Sequence, residues 1–172
     1  MKAMILAAGL GTRLKPFTDH HPKALAIVNG KSLLQRNIEY LQDYGIDEVV
    51  VNVHHFADQI IDTIQKNKGW GSNVTISDES DEVLETGGGL LRAKAHFEHE
   101  AKWLVMNADI LTDLPLDRMI AADEIFEAKA EGDLVATLAV TNRTTSRNLI
   151  FNTAGTLCGW KNNTTGEEKW AN

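Results

Sequence analysis

Met4-Ile5-Leu6-Ala7-Ala8 is an apolar run that breaks into Gly9-Leu10-Gly11-Thr12-Arg13, and a short loop later Pro22-Lys23 brings a second cation. A buried strand that opens into a glycine-rich turn points several backbone N–H groups at one spot. Such a nest binds an anion, most often a phosphate. Arg13 matches phosphate oxygens with a bidentate fork, whereas Lys23 supplies a mobile point charge. Lys15 adds a third cation nearby. The combination reads as a grip for a triphosphate.

Two other phosphate loops do not fit. A dinucleotide fingerprint needs a third glycine where Leu14 stands. Ala26-Ile27-Val28-Asn29-Gly30 offers no acidic residue at a strand end to take a ribose. Gly30-Lys31-Ser32 ends like a P-loop, but Leu25 occupies the place of its leading glycine. Ser32-Leu33-Leu34-Gln35 reads instead as a capping box, with the Gln35 side chain reaching back to the helix start.

Two further segments carry chemistry. Glu85-Thr86-Gly87-Gly88-Gly89 places three glycines before a helix, at an entropic cost that makes sense where backbone must approach a base or sugar. The competing reading is a flexible turn. Asp109, in Met106-Asn107-Ala108-Asp109, follows an apolar strand at the edge where ligands sit. In isolation it reads as a cap. Beside a triphosphate grip it reads as a ligand for Mg²⁺, which takes one or two carboxylates with waters and substrate phosphates. His54 and His55 read as cap or loop residues, His20 and His21 sit in the loop before Lys23, and His96 and His99 lie at a helix end favoured by its dipole. Arg143 and Arg147 follow the last expected parallel strand, as solvated charges or as sugar or phosphate contacts. The four tryptophans, Trp70, Trp103, Trp160 and Trp170, show no stacking pattern and read as packing residues.

These residues need a scaffold that brings them to one edge. Strands are expected at Ala3 to Ala8, Val49 to Val53, Val74 to Ser77, Trp103 to Met106 and Leu134 to Val140. Helices are expected at Ser32 to Tyr44 (ended by Gly45), Ala57 to Lys68 (with Gly69 behind), Gly89 to Phe97, and Leu116 to Glu131 (closed by Gly132). The alternation predicts a three-layer α/β/α fold with a Rossmann-like, doubly wound, mostly parallel sheet that binds ligands at the strand C-terminal ends. Leu149 to Phe151 and Leu157 to Trp160 flank a turn and predict a hairpin. At 172 residues, 43% of them hydrophobic, the chain reads as one domain with a real core. A formal net charge of −7 argues against nucleic-acid binding, where a basic face dominates. The lone Cys158 excludes an intrachain disulfide framework and fits a reducing, cytoplasmic compartment. No apolar segment is long enough to span a bilayer, so no membrane partner is expected.

Taken together, Leu6 to Thr18, Pro22-Lys23, Glu85 to Gly89 and Asn107 to Asp109 resemble the sugar-1-phosphate nucleotidyltransferases. The Glu-Thr-Gly-Gly-Gly variant looks most like small members near the N-acetylmuramate-1-phosphate uridylyltransferases, with mannose-1-phosphate guanylyltransferases as further relatives. The resemblance implies transfer of a nucleoside monophosphate from UTP or GTP to a sugar 1-phosphate, in nucleotide-sugar biosynthesis for cell-envelope precursors. It implies base contacts through Ala8 and Gly9, phosphate contacts through Gly11, Thr12 and Arg13, and a bridging role for Lys23 between the reacting phosphates. Glu85 and Gly88 then face base and sugar, Asn107 the sugar phosphate and Asp109 the metal. Family members continue for about fifty further residues, a length of ordinary domain scale. That part holds another strand, sugar contacts and a second metal aspartate. The reading is therefore a C-terminally shortened domain whose open sheet edge favours self-association. A nucleotide-binding regulatory module without full turnover is the alternative.

If Arg13 and Lys23 form the phosphate grip, Arg13→Ala and Lys23→Ala should each weaken triphosphate binding by about tenfold or more, the scale of one charge-assisted hydrogen bond. Their unfolding midpoints should stay near that of the unaltered chain, because exposed charges contribute little to stability. Calorimetric titration beside thermal unfolding checks this.

Overall fold

The computed structural model describes residues 1–82, 84–130 and 134–171, and the chain divides into two compact units, Met1–Arg118 and Met119–Asn172. In the first, the apolar opening run forms β1 (Lys2–Leu6). After the loop come two short strands, β2 (Ile27–Val28) and β3 (Lys31–Ser32), paired antiparallel. Asn29 and Gly30 between them both take positive φ, at 47° and 80°, which is the Asn-Gly hairpin turn. The dipeptide signalled this turn, although the sequence reading assigned no strands there.

Helix α1 (Leu33–Gln42) buries Leu33, Leu34, Ile38 and Leu41 along one stripe. Ser32 caps it by accepting a hydrogen bond from Gln35 N at 3.1 Å. The capping box is only half formed, since the Gln35 side chain donates to Glu39 Oε1 at 2.8 Å instead of turning back. The helix closes at Gly45 (φ 70°), where Ile46 N reaches Leu41 O at 3.0 Å. Next follow β4 (Glu48–Val53), α2 (Ala57–Lys66), β5 (Asn73–Asp78), α3 (Thr86–Ala93) and β6 (Trp103–Asn107), and then α4 (Leu116–Ala130), most of which belongs to the second unit. Glu131 and Gly132, the expected close of α4, lie outside the described residues.

The central sheet runs β5-β4-β1-β6, every pair parallel, with Leu6 opposite Asn52 on one side and Asn107 on the other. Met4 and Val50 pack on Ala93 and Phe97 beyond one face, where Phe97 stacks on Trp103 with ring centroids 4.0 Å apart. Ala3, Ile5, Val49, Val51 and Val53 are buried as well. Strands apolar at successive positions are what a parallel sheet covered on both sides requires. This is the expected Rossmann-like α/β arrangement.

Two expectations are corrected. Leu134 to Val140 forms no strand. Its β-rich composition finds no ladder partner among the described residues, and Val135 is 98% exposed. The glycines of Glu85 to Gly89 lie inside the first turn of α3, with Gly89 N bonded to Glu85 O at 2.9 Å, while Lys94–Phe97 continues as a 3-10 turn. The expected hairpin of the second unit forms from β7 (Arg147–Phe151) and β8 (Leu157–Asn162), and β9 (Glu168–Trp170) extends it to a three-stranded antiparallel sheet. Each of its turns opens on an asparagine whose Oδ1 accepts two backbone N–H groups and closes on a glycine with positive φ, Asn152 to Gly155 and Asn162 to Gly166. Among the described residues, no helix is long and apolar enough to cross a membrane.

The Ser32 cap should be worth about 1 kcal/mol, so Ser32→Ala should lower the unfolding free energy by roughly that amount in urea titration. Ser32→Asp should restore most of it.

Candidate active site

A cavity of about 410 Å³ opens at the C-terminal ends of β1 and β6. Strand β1 connects through α1 to β4 on one side, and β6 lies on the other. The chain therefore reverses direction across the sheet at this point, where open α/β sheets place their ligands. The expected residues Ala8, Gly9, Gly11, Thr12, Arg13, Lys23, Glu85, Asn107 and Asp109 all line it. Gly88 does not, and a Cβ there would meet the Leu84 side chain at 3.1 Å.

The loop after β1 has a specific build. Gly11 takes φ 64°, a conformation that side-chain-bearing residues resist. Its carbonyl accepts from Leu14 N at 2.8 Å and from Thr18 Oγ1 at 2.9 Å. Thr18 is buried and presses its methyl where a Gly11 Cβ would lie, 2.8 Å away. Among the described residues, the N–H groups of Gly9, Leu10 and Gly11 find no protein acceptor. They are donors a phosphate can use. Arg13 follows in a 3-10 turn, Thr12–Leu14, with its side chain exposed at the cavity.

Lys23 Nζ donates to Asp109 Oδ2, so the proposed phosphate cation and metal carboxylate are paired with each other. Both side chains remain partly exposed, at 27% and 35%. Among the described residues, no group of three or more His, Cys, Asp or Glu side chains could hold a metal. One hard carboxylate facing the cavity nevertheless suits Mg²⁺, which completes its shell with waters and substrate oxygens. The Asp109 loop is anchored from behind, because Asn37 of α1, 2% exposed, donates to Ala108 O at 2.8 Å.

A second buried amide serves β1. Asn52, at the end of β4, accepts from Ala7 N at 2.7 Å and donates to Glu79 Oε1 at 2.9 Å. The turn carrying Glu79 is held by Asp78, whose Oδ1 accepts from Ser80 N at 2.8 Å and Ser80 Oγ at 2.5 Å. These bonds, the side-chain one first, keep the Asp78 carboxyl below its usual range. The turn's contribution is thus present above the unfolded carboxylate range and fades as pH falls through the lowered value.

Thr18, Asn37, Asn52 and Glu79 were not identified from the sequence. Two of them carried a signal: Asn37 interrupts the apolar stripe of α1, and Asn52 interrupts Val49 to Val53. Other candidates go elsewhere. His20 O accepts from Gln59 Nε2 and the His21 ring meets Gln59 Oε1, so neither lines the cavity. His54 Nδ1 lies 2.6 Å from Glu79 O. Arg147 opens β7 with its guanidinium 5.9 Å from the Trp160 ring centroid, and Lys169 Nζ lies 5.8 Å from the same ring. Arg147 is thus a cation–π partner within the second unit. Arg143 is exposed in a segment without regular structure.

Over residues 2–148 the chain matches the family model described as nucleotidyl transferase. It is 45% identical over 95 residues to an N-acetylmuramate alpha-1-phosphate uridylyltransferase of Caulobacter vibrioides, covering 54% of this chain and 39% of that relative. Mannose-1-phosphate guanyltransferase 2 of Candida glabrata is 32% identical over 139 residues, covering 80% of this chain and 38% of the relative. The crystal structure of HddC from Yersinia pseudotuberculosis complexed with GMP-PN is similar at a TM-score of 0.64 and 35% identity, over 71% of this chain and 53% of that one. The chain therefore spans less than half the length of these two curated relatives.

Gly11→Ala should be destabilising for two separable reasons, the positive φ and the Thr18 methyl. The backbone part alone is worth about 1 kcal/mol. Adding Thr18→Ser removes the methyl but keeps the hydroxyl, so the double variant should recover part of the loss and retain the backbone part. Thermal or urea unfolding of the two single variants and the double variant measures both.

Proposed function

From the chain's membership of the nucleotidyl transferase family, we propose that it transfers a nucleoside monophosphate from UTP or GTP to a sugar 1-phosphate, releasing pyrophosphate. The observation that carries this reading is the convergence of a donor-rich loop, Arg13, Lys23 and Asp109 on one cavity at the sheet's C-terminal edge. The names of the similar proteins, a uridylyltransferase and a guanyltransferase, support the choice of base and acceptor.

In this reading the Gly9–Thr12 backbone and Arg13 hold the β- and γ-phosphates, and Lys23 leaves Asp109 to bridge the reacting groups. A sugar phosphate oxygen attacks the α-phosphorus in line, forming the new P–O bond as the bond to pyrophosphate breaks. A phosphate monoester is largely dianionic near neutrality, its second pKa being about 6, so no protein base need remove a proton. The protein's contribution is to position two mutually repelling anions and to neutralise charge that builds on the leaving group. Asp109 would hold Mg²⁺, which adds Lewis-acid charge at the phosphates when bound. Asn107 is assigned to the sugar phosphate, Ala8 and Glu85 to the nucleoside; Gly88 lies against Leu84, which lines the cavity, and supports that wall.

Pyrophosphate release should appear when the chain is given Mg²⁺, UTP or GTP and a panel of sugar 1-phosphates, and Asp109→Asn should lower it by at least about a hundredfold, in line with losing a preorganised electrostatic contact. Nucleotide binding without pyrophosphate release from any pair would favour a nucleotide-binding regulatory module. Absence of nucleotide binding would overturn both.

A further inference from the structure

The first unit buries one carboxyl that this chemistry does not use. Glu79, just past β5, is 0% exposed, and its Oε2 has no hydrogen-bond partner among the described residues. Burying a carboxyl with an oxygen unpaired is unfavourable, so its presence calls for a compensating role. Its other oxygen, Oε1, accepts from Asn52 Nδ2. Asn52 is 4% exposed and turns Oδ1 to Ala7 N–H at 2.7 Å. Ala7 is the first residue past β1 and leads directly into Ala8 and Gly9 at the cavity.

The two ends of an asparagine amide are nearly alike in shape, and neighbours decide which way it faces. The acceptor oxygen of Glu79 selects the Nδ2 end, which leaves Oδ1 for Ala7. The space around the pair is set by α3. A Cβ on Gly89 would lie 2.9 Å from Glu79 Oε1 and 3.0 Å from Asn52 Nδ2. Gly89 thus leaves room for this contact at a helix position where alanine is intrinsically favoured.

We propose that Glu79 and Asn52 are positioning residues for nucleoside triphosphate binding: Glu79 orients the Asn52 amide so that its oxygen captures Ala7 N–H and sets the course of the backbone from β1 into the phosphate loop. The proposal rests on the nucleotide-binding reading above. A pair that served only to hold the core would change stability when removed, yet leave affinity in the folded protein unchanged.

The test uses the whole chain. UTP and GTP affinities come from calorimetry, Ala7 amide exchange from NMR, and unfolding midpoints from thermal melts, for Asn52→Leu, Glu79→Leu, their double variant, Glu79→Gln and Gly89→Ala. Asn52→Leu and Glu79→Leu should each weaken the better-bound nucleotide by about tenfold and expose Ala7 N–H to exchange. The double variant should be no weaker than Asn52→Leu, because Glu79 acts through Asn52. Glu79→Gln, whose amide oxygen still accepts from Asn52, should stay within about twofold and keep Ala7 protected. Gly89→Ala should lose Ala7 protection and melt lower, opposite to its helix propensity. Should Glu79→Leu not fold, Asn52→Leu and Gly89→Ala carry the loss and Glu79→Gln the rescue. Unchanged affinity in folded Asn52→Leu, additive losses in the double variant, or surviving Ala7 protection would overturn the proposal. So would a changed preference between UTP and GTP in Glu79→Gln with Ala7 still protected, which would place Glu79 on the base. If the unaltered chain binds neither nucleotide, the function reading fails instead, while Ala7 exchange still decides whether the pair holds the loop.

Discussion

The constraint on which the site depends is the central place of β1 in its sheet. β1 is hydrogen-bonded to β4 on one side and to β6 on the other, so its backbone cannot shift without disturbing both ladders. The loop that leaves it starts from a fixed point and direction. A glycine-rich segment such as Gly9-Leu10-Gly11 can then present its N–H groups to an anion without losing its place. β6 contributes the facing wall through Asn107 to Asp109 from an equally fixed strand end.

The apolar interior holds the strands, but polar side chains set the final geometry of the loops. Thr18, Asn37 and Asn52 are each buried, and each bonds one backbone atom beside the cavity: Gly11 O, Ala108 O and Ala7 N. A buried amide or hydroxyl gains little net stability from such a bond, yet loses much if the bond is broken. That asymmetry makes these contacts directional where hydrophobic packing is not. It also explains why small residues surround them, since neither Gly11 nor Gly89 has space for a Cβ.

The Lys23–Asp109 pair holds a cation at the cavity of an acidic chain. With a formal charge of −7, the chain offers an incoming triphosphate no general attraction. Local pairing with Asp109 leaves Lys23 partly covered, and in the proposed reaction a phosphate would compete for Lys23 and free the Asp109 carboxylate.

The sequence alone determined the order of β1, α1, β4, α2, β5, α3 and β6 and placed the glycine-rich loop, Arg13, Lys23 and Asp109 at the strand ends, because each rests on local pattern: apolar periodicity, glycine at a strand end, and charge type. The Asn-Gly turn of β2 and β3 is likewise specified by local chemistry. What only the tertiary structure decided depends on partners distant in the chain. Leu134 to Val140 has strand composition but no ladder, since a strand exists only where another offers hydrogen bonds. The three glycines after Glu85 lie within α3 because Glu85 O accepts from Gly89 N, and Gly89 is small because Glu79 and Asn52 occupy the space beside it. Asn37 and Asn52 were visible only as polar interruptions in apolar patterns. Their targets, Ala108 and Ala7, lie 71 and 45 residues away. No local periodicity encodes which backbone group a buried amide will meet; that is set when the sheet brings β1, β4 and β6 side by side.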